Sequence, residues 1–403
     1  MIKNDFKDSK KAQKTKQSLL IAGILFIAVN LRPALAGVGP LVSTIRESTG
    51  LSNSMLGLLT TLPLIAFGLV STLTPLFTKR FGISVTLAAA LILITLGISI
   101  RSIDLLAALY IGTLLLGIGI AFGNVLLPGL VKRNFSTNTG FITSLYSAVM
   151  GVGAASAAGL SVPLANSDQF GWRGALAIWA ALSFIAFFVW LPQIWRIKKA
   201  KNHRNFMKAM KNLVSSKLAW KVALFMGLQS FAFYVVLAWL PEILQSRGFT
   251  PSYAGWMLSL SQATGILGAL IIPAWAGRKP DQRWAVLILV LIEIVSLLGL
   301  IFPQLGLVYI WASLIGFALG GSFGLALLFI VARSEDTETA TELSGMAQSI
   351  GYLIAASGPI IFGSIYDYTG NWSVALGLLL VLVLIKLYMG LGAGRAGKIS
   401  SES

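Results

Sequence analysis

Runs of about 20 apolar residues separated by short polar breaks recur along the chain, and each is long enough as a helix to cross about 30 Å of hydrocarbon. They fall at 18–42, 54–77, 83–101, 105–131, 140–164 and 172–191, then at 219–244, 253–275, 284–301, 305–331, 343–365 and 372–390. The pattern predicts an all-α integral membrane protein with twelve transmembrane helices in two pseudo-symmetric six-helix halves. Its predicted parts are a basic tail 1–17, a first half 18–192, a basic linker 193–218, a second half 219–390 and a tail 391–403.

The halves echo one another at an offset of about 200 residues, the cue for a duplicated transporter half. Gly171-Trp172-Arg173-Gly174-Ala175-Leu176 aligns with Asn371-Trp372-Ser373-Val374-Ala375-Leu376. Pro40 meets Pro241, Gly57 meets Gly255, Gly117 meets Gly316, and Gly151 meets Gly351. Each match alone is weak, because apolar helices resemble one another by chance; the ordered series is what points to a repeat.

Composition agrees with this pattern. Hydrophobic residues make up 56% of the 403 positions and charged ones 11%, against roughly 25% charged in soluble domains. The net charge of +17 reads as topology rather than as a nucleic-acid footprint. Most of the 31 lysines and arginines lie in the tail 1–17 and at 79–80, 132–133, 196–221, 278–283, 333 and 395–398, whereas the alternate loops carry Arg46, Arg101, Arg173 and Arg247. The positive-inside rule then puts both termini and the linker in the cytoplasm. The linker, with nine cations between Trp195 and Lys221 and no acid, suits contact with anionic lipid.

The chain has no cysteine, and its one histidine, His203, lies in the linker. Disulfides, thiolate chemistry and His-based metal sites are excluded, no metal or cofactor is expected, and no nucleophile with its base marks an enzyme. Gly392-Ala393-Gly394-Arg395-Ala396-Gly397-Lys398-Ile399 approaches a phosphate loop but ends in isoleucine where a hydroxyl is needed, with no strand before it. The basic start followed by an apolar run and Ala34-Leu35-Ala36 imitates a signal peptide; cleavage there would break both the repeat and the charge alternation, so the run reads as the first span.

Candidate chemistry centres on Arg32, in Ala28-Val29-Asn30-Leu31-Arg32-Pro33-Ala34. About fifteen helical residues precede it, which at 1.5 Å each brings it near mid-bilayer. Ionisable groups at that depth usually face a bundle interior or a water-filled cavity, so Arg32 points to a path that favours anions; the alternative is a cation that snorkels or glues helices. Asn30, Asn124, Gln229, Tyr234, Gln262, Gln348 and Tyr352 are neutral polar candidates to orient a solute, and Trp239 is an aromatic that would close the path. Gln348 and Tyr352, four apart, share one helix face. Glu293 is the carboxylate deepest in a span. It reads either as a proton-coupling group, its carboxyl kept protonated by desolvation, or as a hydrogen-bonded residue on an outer helix.

Asn30-Leu31-Arg32-Pro33 with Val38-Gly39-Pro40-Leu41, Pro128-Gly129-Leu130-Val131-Lys132-Arg133-Asn134-Phe135, Ala238-Trp239-Leu240-Pro241 and Gln348-Ser349-Ile350-Gly351-Tyr352 resemble the cyanate and 2-nitroimidazole transporter (CynX/NimT) family of the major facilitator superfamily. The superfamily's charged signature between spans 2 and 3 is degenerate here: Thr74-Pro75-Leu76-Phe77-Thr78-Lys79-Arg80-Phe81-Gly82 has no aspartate. The resemblance implies that spans 1, 4, 7 and 10 line a cavity while 3, 6, 9 and 12 lie outside, which puts Glu293 on a peripheral helix. It implies a secondary active transporter in a bacterial inner membrane that moves a cyanate-like or nitroimidazole-like solute by alternating access, most simply coupled to protons. The alternatives are a proton-coupled multidrug exporter of the same superfamily and a channel. Expected partners are a small anionic or polar solute, protons and membrane lipid, with no nucleic acid; the chain is expected to act as a monomer.

Overall fold

The computed structural model describes residues 17–51, 53–167, 170–196 and 206–399. The basic tail 1–17, except Gln17, lies outside these residues, as do 197–205 of the linker, including His203. Twelve helices among the described residues are long and apolar enough to cross a membrane. Span 1 is broken, running 17–30 and then Pro33–Ala36. The rest of the first half is Asn53–Phe81, Ile83–Arg101, Leu106–Asn134, Thr139–Ala165 and Gly171–Arg196. The second half is Lys217–Gln245, Pro251–Ala276, Arg283–Ile301, Val308–Arg333, Thr337–Thr369 and Trp372–Gly394. Several exceed the predicted spans by a turn or more; the Asn53–Phe81 and Thr337–Thr369 helices carry on into polar sequence past the bilayer limits that hydropathy detects.

Small residues set the closest helix approaches, as expected where lipid supplies no hydrophobic drive between helices. Gly316 and Gly320 of span 10 lie against the Ser261 and Gly265 backbone of span 8, so that a Cβ at either would collide with a carbonyl. The same logic joins the halves. Gly140 at the start of span 5 faces Gly277 just beyond span 8, where a Cβ on Gly140 would come within 2.7 Å of the Gly277 Cα.

Contacts between the halves run from mid-membrane toward the face that carries the linker. On that side Gly345 packs on the Ser71 carbonyl, Gly129 on Thr341, Gly68 on Leu353, and the Ser349 hydroxyl donates to the Gly68 carbonyl. Beyond Gly151, which meets Ile266, the small residues of span 5 lose these partners: a Cβ at Gly159 would meet open space. The halves are thus closed on the linker face. A short helix, Phe206–Ser215, lies across that face; Leu213 is buried, and Trp220 Nε1 donates to the Val214 carbonyl at 2.7 Å.

Candidate functional site

Span 1 breaks at Arg32 for a local reason. Pro33 offers no N–H to the Val29 carbonyl and disfavours helical geometry in the residue before it, and Arg32 adopts φ −121° and ψ −34°. The opened backbone is re-satisfied by neighbours. Gly153 of span 5 packs directly on the Val29 carbonyl, and the Arg101 guanidinium donates to the Ala34 carbonyl at 2.7 Å. Arg101, expected as a loop cation, is instead buried at 1% exposure: the end of span 3 has turned it inward to anchor the interrupted helix.

The break places Arg32 in the wall of a central cavity of ≈ 70 Å³, with room for several waters or a solute of a few non-hydrogen atoms. Its guanidinium lies 5.5 Å from the ring centroid of Phe233 in span 7 and 4.8 Å from that of Phe323 in span 10. These cation–π contacts reach from one half into the other, and their faces offset part of the cost of holding the charge at depth. No carboxylate among the described residues pairs with Arg32, and none lines the cavity.

Five of the nine residues expected to bind solute line this space together: Arg32, Gln229, Tyr234, Gln262 and Tyr352. Asn124 is one bond away, its amide donating to the Tyr352 hydroxyl at 3.4 Å, while the Tyr352 ring stands edge-on to Phe67 at 4.8 Å. Gln229 donates to the Met226 carbonyl and the Ser230 hydroxyl, which leaves its buried carbonyl oxygen without a partner.

The other three lie elsewhere. Asn30 donates to the Phe26 carbonyl at 2.7 Å and to the Leu182 carbonyl of span 6 at 3.5 Å; two residues along a helix is about 200° of rotation, so Asn30 faces away from Arg32. Trp239 Nε1 donates to the Pro359 carbonyl at 3.0 Å, and its ring packs on Trp372, so it braces the second half internally. Gln348 shares the Tyr352 face but sits one turn nearer the linker, within the level where Gly345 and Ser349 seal span 11 against span 2.

The lining comes from spans 1, 5, 7, 8, 10 and 11. Span 4 thus lies behind Tyr352 rather than on the surface, and spans 3, 6, 9 and 12 contribute nothing to the wall. Phe233, Phe323 and the small polar residues Ser147, Ser230 and Ser261 also line the cavity, and the sequence singled out none of them.

Glu293 lies on the peripheral span 9, fully buried, and forms an ion pair with Lys386 of span 12, itself 1% exposed. The pair is sealed inside the second half, away from the cavity lining.

The comparisons fit this geometry. The Major Facilitator Superfamily pattern matches residues 19–356. The 2-nitroimidazole transporter of Escherichia coli (strain K12) is 43% identical over 385 residues, which cover 94% of this chain and 96% of that protein. The chain belongs to the cyanate and 2-nitroimidazole transporter family of this superfamily. A further family relative, the cyanate transport protein CynX of the same organism, is 30% identical over 350 residues, covering 87% of this chain and 90% of its own. Among solved structures, the Escherichia coli fucose:proton symporter superposes with a TM-score of 0.74 at 14% identity, covering 94% of this chain and 100% of that one. The superposition shows that the two chains share one fold.

Proposed function

We propose that this member of the family is a secondary transporter for a small anion or a polar heteroaromatic solute, cyanate-like or nitroimidazole-like, moved by alternating access. The observation that carries the reading is the Arg32 guanidinium, held by two aromatic faces and left without a carboxylate partner in the central cavity. An anion or a nitro group would supply the missing acceptor. Guanidinium hydrogen bonds to a charged acceptor are about twice as strong as neutral ones, and the planar fork donates to two oxygens at once. Phe233, Phe323, Tyr234 and Tyr352 offer flat faces to an aromatic ring, and Gln229 and Gln262 offer amides for orientation.

Proton coupling in this reading does not use a cavity carboxylate; a solute whose charge pairs with Arg32, moving together with a proton, needs none. The exporter alternative needs an acid on the path, and the buried Glu293–Lys386 pair lies off it. Both termini and the linker are assigned to the cytoplasm by the cation distribution, and reporter fusions within the linker test this: periplasmic phosphatase activity there would overturn it.

The deciding experiment is uptake by proteoliposomes of cyanate, nitrite, nitrate, small carboxylates and 2-nitroimidazole, with and without an imposed pH gradient. Saturable, counterflow-stimulated uptake of one of these is expected. Flux that neither saturates nor shows counterflow would mean a channel, and selective efflux of bulky apolar cations would favour the exporter.

A further inference from the structure

The linker face carries a second concavity, on the outer flank of the second half. It is an open groove of ≈ 810 Å³ where the start of span 7, the turn before span 9 and the end of span 12 meet. Lys221, Lys279, Arg283 and Arg395 line it, with Asp281 as the one acid. Asp281 is taken up by Arg283, at 2.7 Å. That leaves Lys221, Lys279 and Arg395 converging on one groove with no ion-pair partner among the described residues.

The groove's remaining wall is amphipathic. Lys279 lies 5.5 Å from the Trp284 ring and Lys221 6.0 Å from the Tyr388 ring. Gly392, part of the glycine-rich run that resembled a phosphate loop, lets the Lys221 stem lie across the end of span 12, where any Cβ would collide with it. From Leu287 and Tyr388 an exposed apolar strip continues toward the membrane centre: Leu291 sits one turn along span 9 and Leu384 one turn along span 12. A cluster of cations at the bilayer edge, an indole and a phenol at the same level, and an apolar track beneath them match the parts of a phospholipid in order.

We infer that this groove is a binding site for an anionic phospholipid of the linker-side leaflet, its phosphate held by Lys221, Lys279 and Arg395 and its acyl chains lying along Leu287, Leu291 and Leu384. Charge selects the lipid class, because a zwitterionic headgroup brings its own cation into a groove that already has three. The apolar strip distinguishes a lipid from a soluble anion, which would have no use for it. The inference depends on the fold alone and is independent of the transported solute.

The test is native mass spectrometry, with affinity titration, of delipidated protein against phosphatidylglycerol, cardiolipin and phosphatidylethanolamine, with inorganic phosphate as a separate arm. Wild-type protein is expected to hold the two anionic lipids in clear preference to phosphatidylethanolamine, and millimolar phosphate is expected not to displace them. A juxtamembrane cation contributes about fivefold in affinity for an anionic surface. Lys221→Ala, Lys279→Ala and Arg395→Ala together should therefore weaken anionic-lipid binding on the order of a hundredfold, while phosphatidylethanolamine binding is unchanged. Lys221→Arg with Lys279→Arg should retain the preference, which guards against a mere packing defect. Wild-type lipid preference in a monodisperse triple-alanine protein, loss of preference in the double-arginine protein, or displacement by phosphate alone would each overturn the assignment.

Discussion

Two charged centres lie at membrane depth, and the protein treats them in opposite ways. Arg32 is half-buried, held by aromatic faces from the other half, and has no counter-charge among the described residues. Glu293 and Lys386 are fully buried and paired with each other inside the second half. Desolvating an ion is costly in either place, but in the second half the cost is met internally and permanently. At Arg32, in the function proposed above, the counter-charge would come from the solute. A buried ion whose partner is built in belongs to the architecture; one with no partner among the described residues is what our proposal reads as a site.

The largest expected effect tests the architectural member. Lys386→Met leaves the Glu293 carboxylate without its ion partner, and removing one member of such a pair costs about 3–5 kcal/mol; a strong fall in thermal unfolding midpoint is expected in detergent. Combining Lys386→Met with Glu293→Leu should recover most of that stability, since well-packed apolar residues often replace a buried pair at no loss. If the double variant is as unstable as the single one, the pair is not what the second half relies on.

Next in size is the other member. Arg32→Ala should weaken binding of an anionic solute by at least about 1.5–3 kcal/mol without a matching change in unfolding midpoint, and Arg32→Lys should rescue it in part because the charge returns without the planar fork. Direct binding to purified, monodisperse protein decides it. Wild-type affinity in a well-folded alanine variant would make Arg32 a structural cation and collapse the contrast with Glu293.

A smaller effect is expected from Tyr352→Phe, which removes the hydroxyl bonded to Asn124 while keeping the ring against Phe67. About 1 kcal/mol of solute affinity should go, seen as a several-fold rise in Kd. The smallest concerns Glu293→Gln: on the fraction that folds, solute affinity should match wild type, because Glu293 is outside the cavity. Unchanged binding with a lost response to a pH gradient in proteoliposomes would instead give Glu293 a role in proton coupling and move it to the functional side of the comparison.

The sequence made some of this legible. Hydropathy located twelve helices because lipid imposes a length and a composition on every span; the break in span 1 at Pro33 was seen only in the structure. Asn30 faces elsewhere, because two residues of helix turn a side chain to the far face. Gln348 shares the Tyr352 face but lies at the depth of the inter-half seal, and that depth is set by where Gly345 and Ser349 meet span 2, a contact 281 residues distant for Ser349. The partner of Glu293 was within reach of sequence reasoning: span 12 holds a lone lysine, the sign that a lone buried glutamate calls for, though 93 residues separate them. Phe233 and Phe323 were hidden for another reason. Phenylalanine in a membrane helix carries no signal of its own, and only their convergence on a cation gives them a role.

That separation of 93 residues also governs how the protein is made. Span 9 emerges from the ribosome carrying Glu293 before Lys386 has been synthesised, and span 12 must later enter the bilayer with an ammonium near its middle. An ionised residue at the centre of a helix adds roughly 2.5–3.5 kcal/mol to its insertion, which the remaining residues of the segment must outweigh. Spans 9 and 12 are the two most apolar of the twelve, so each of these helices has leucine, isoleucine and valine enough to enter lipid alone. The excess hydrophobicity that looks redundant in the finished protein is what carries each charge across until the other arrives, and a chain truncated before span 12 would keep an acid in the membrane with nothing to answer it.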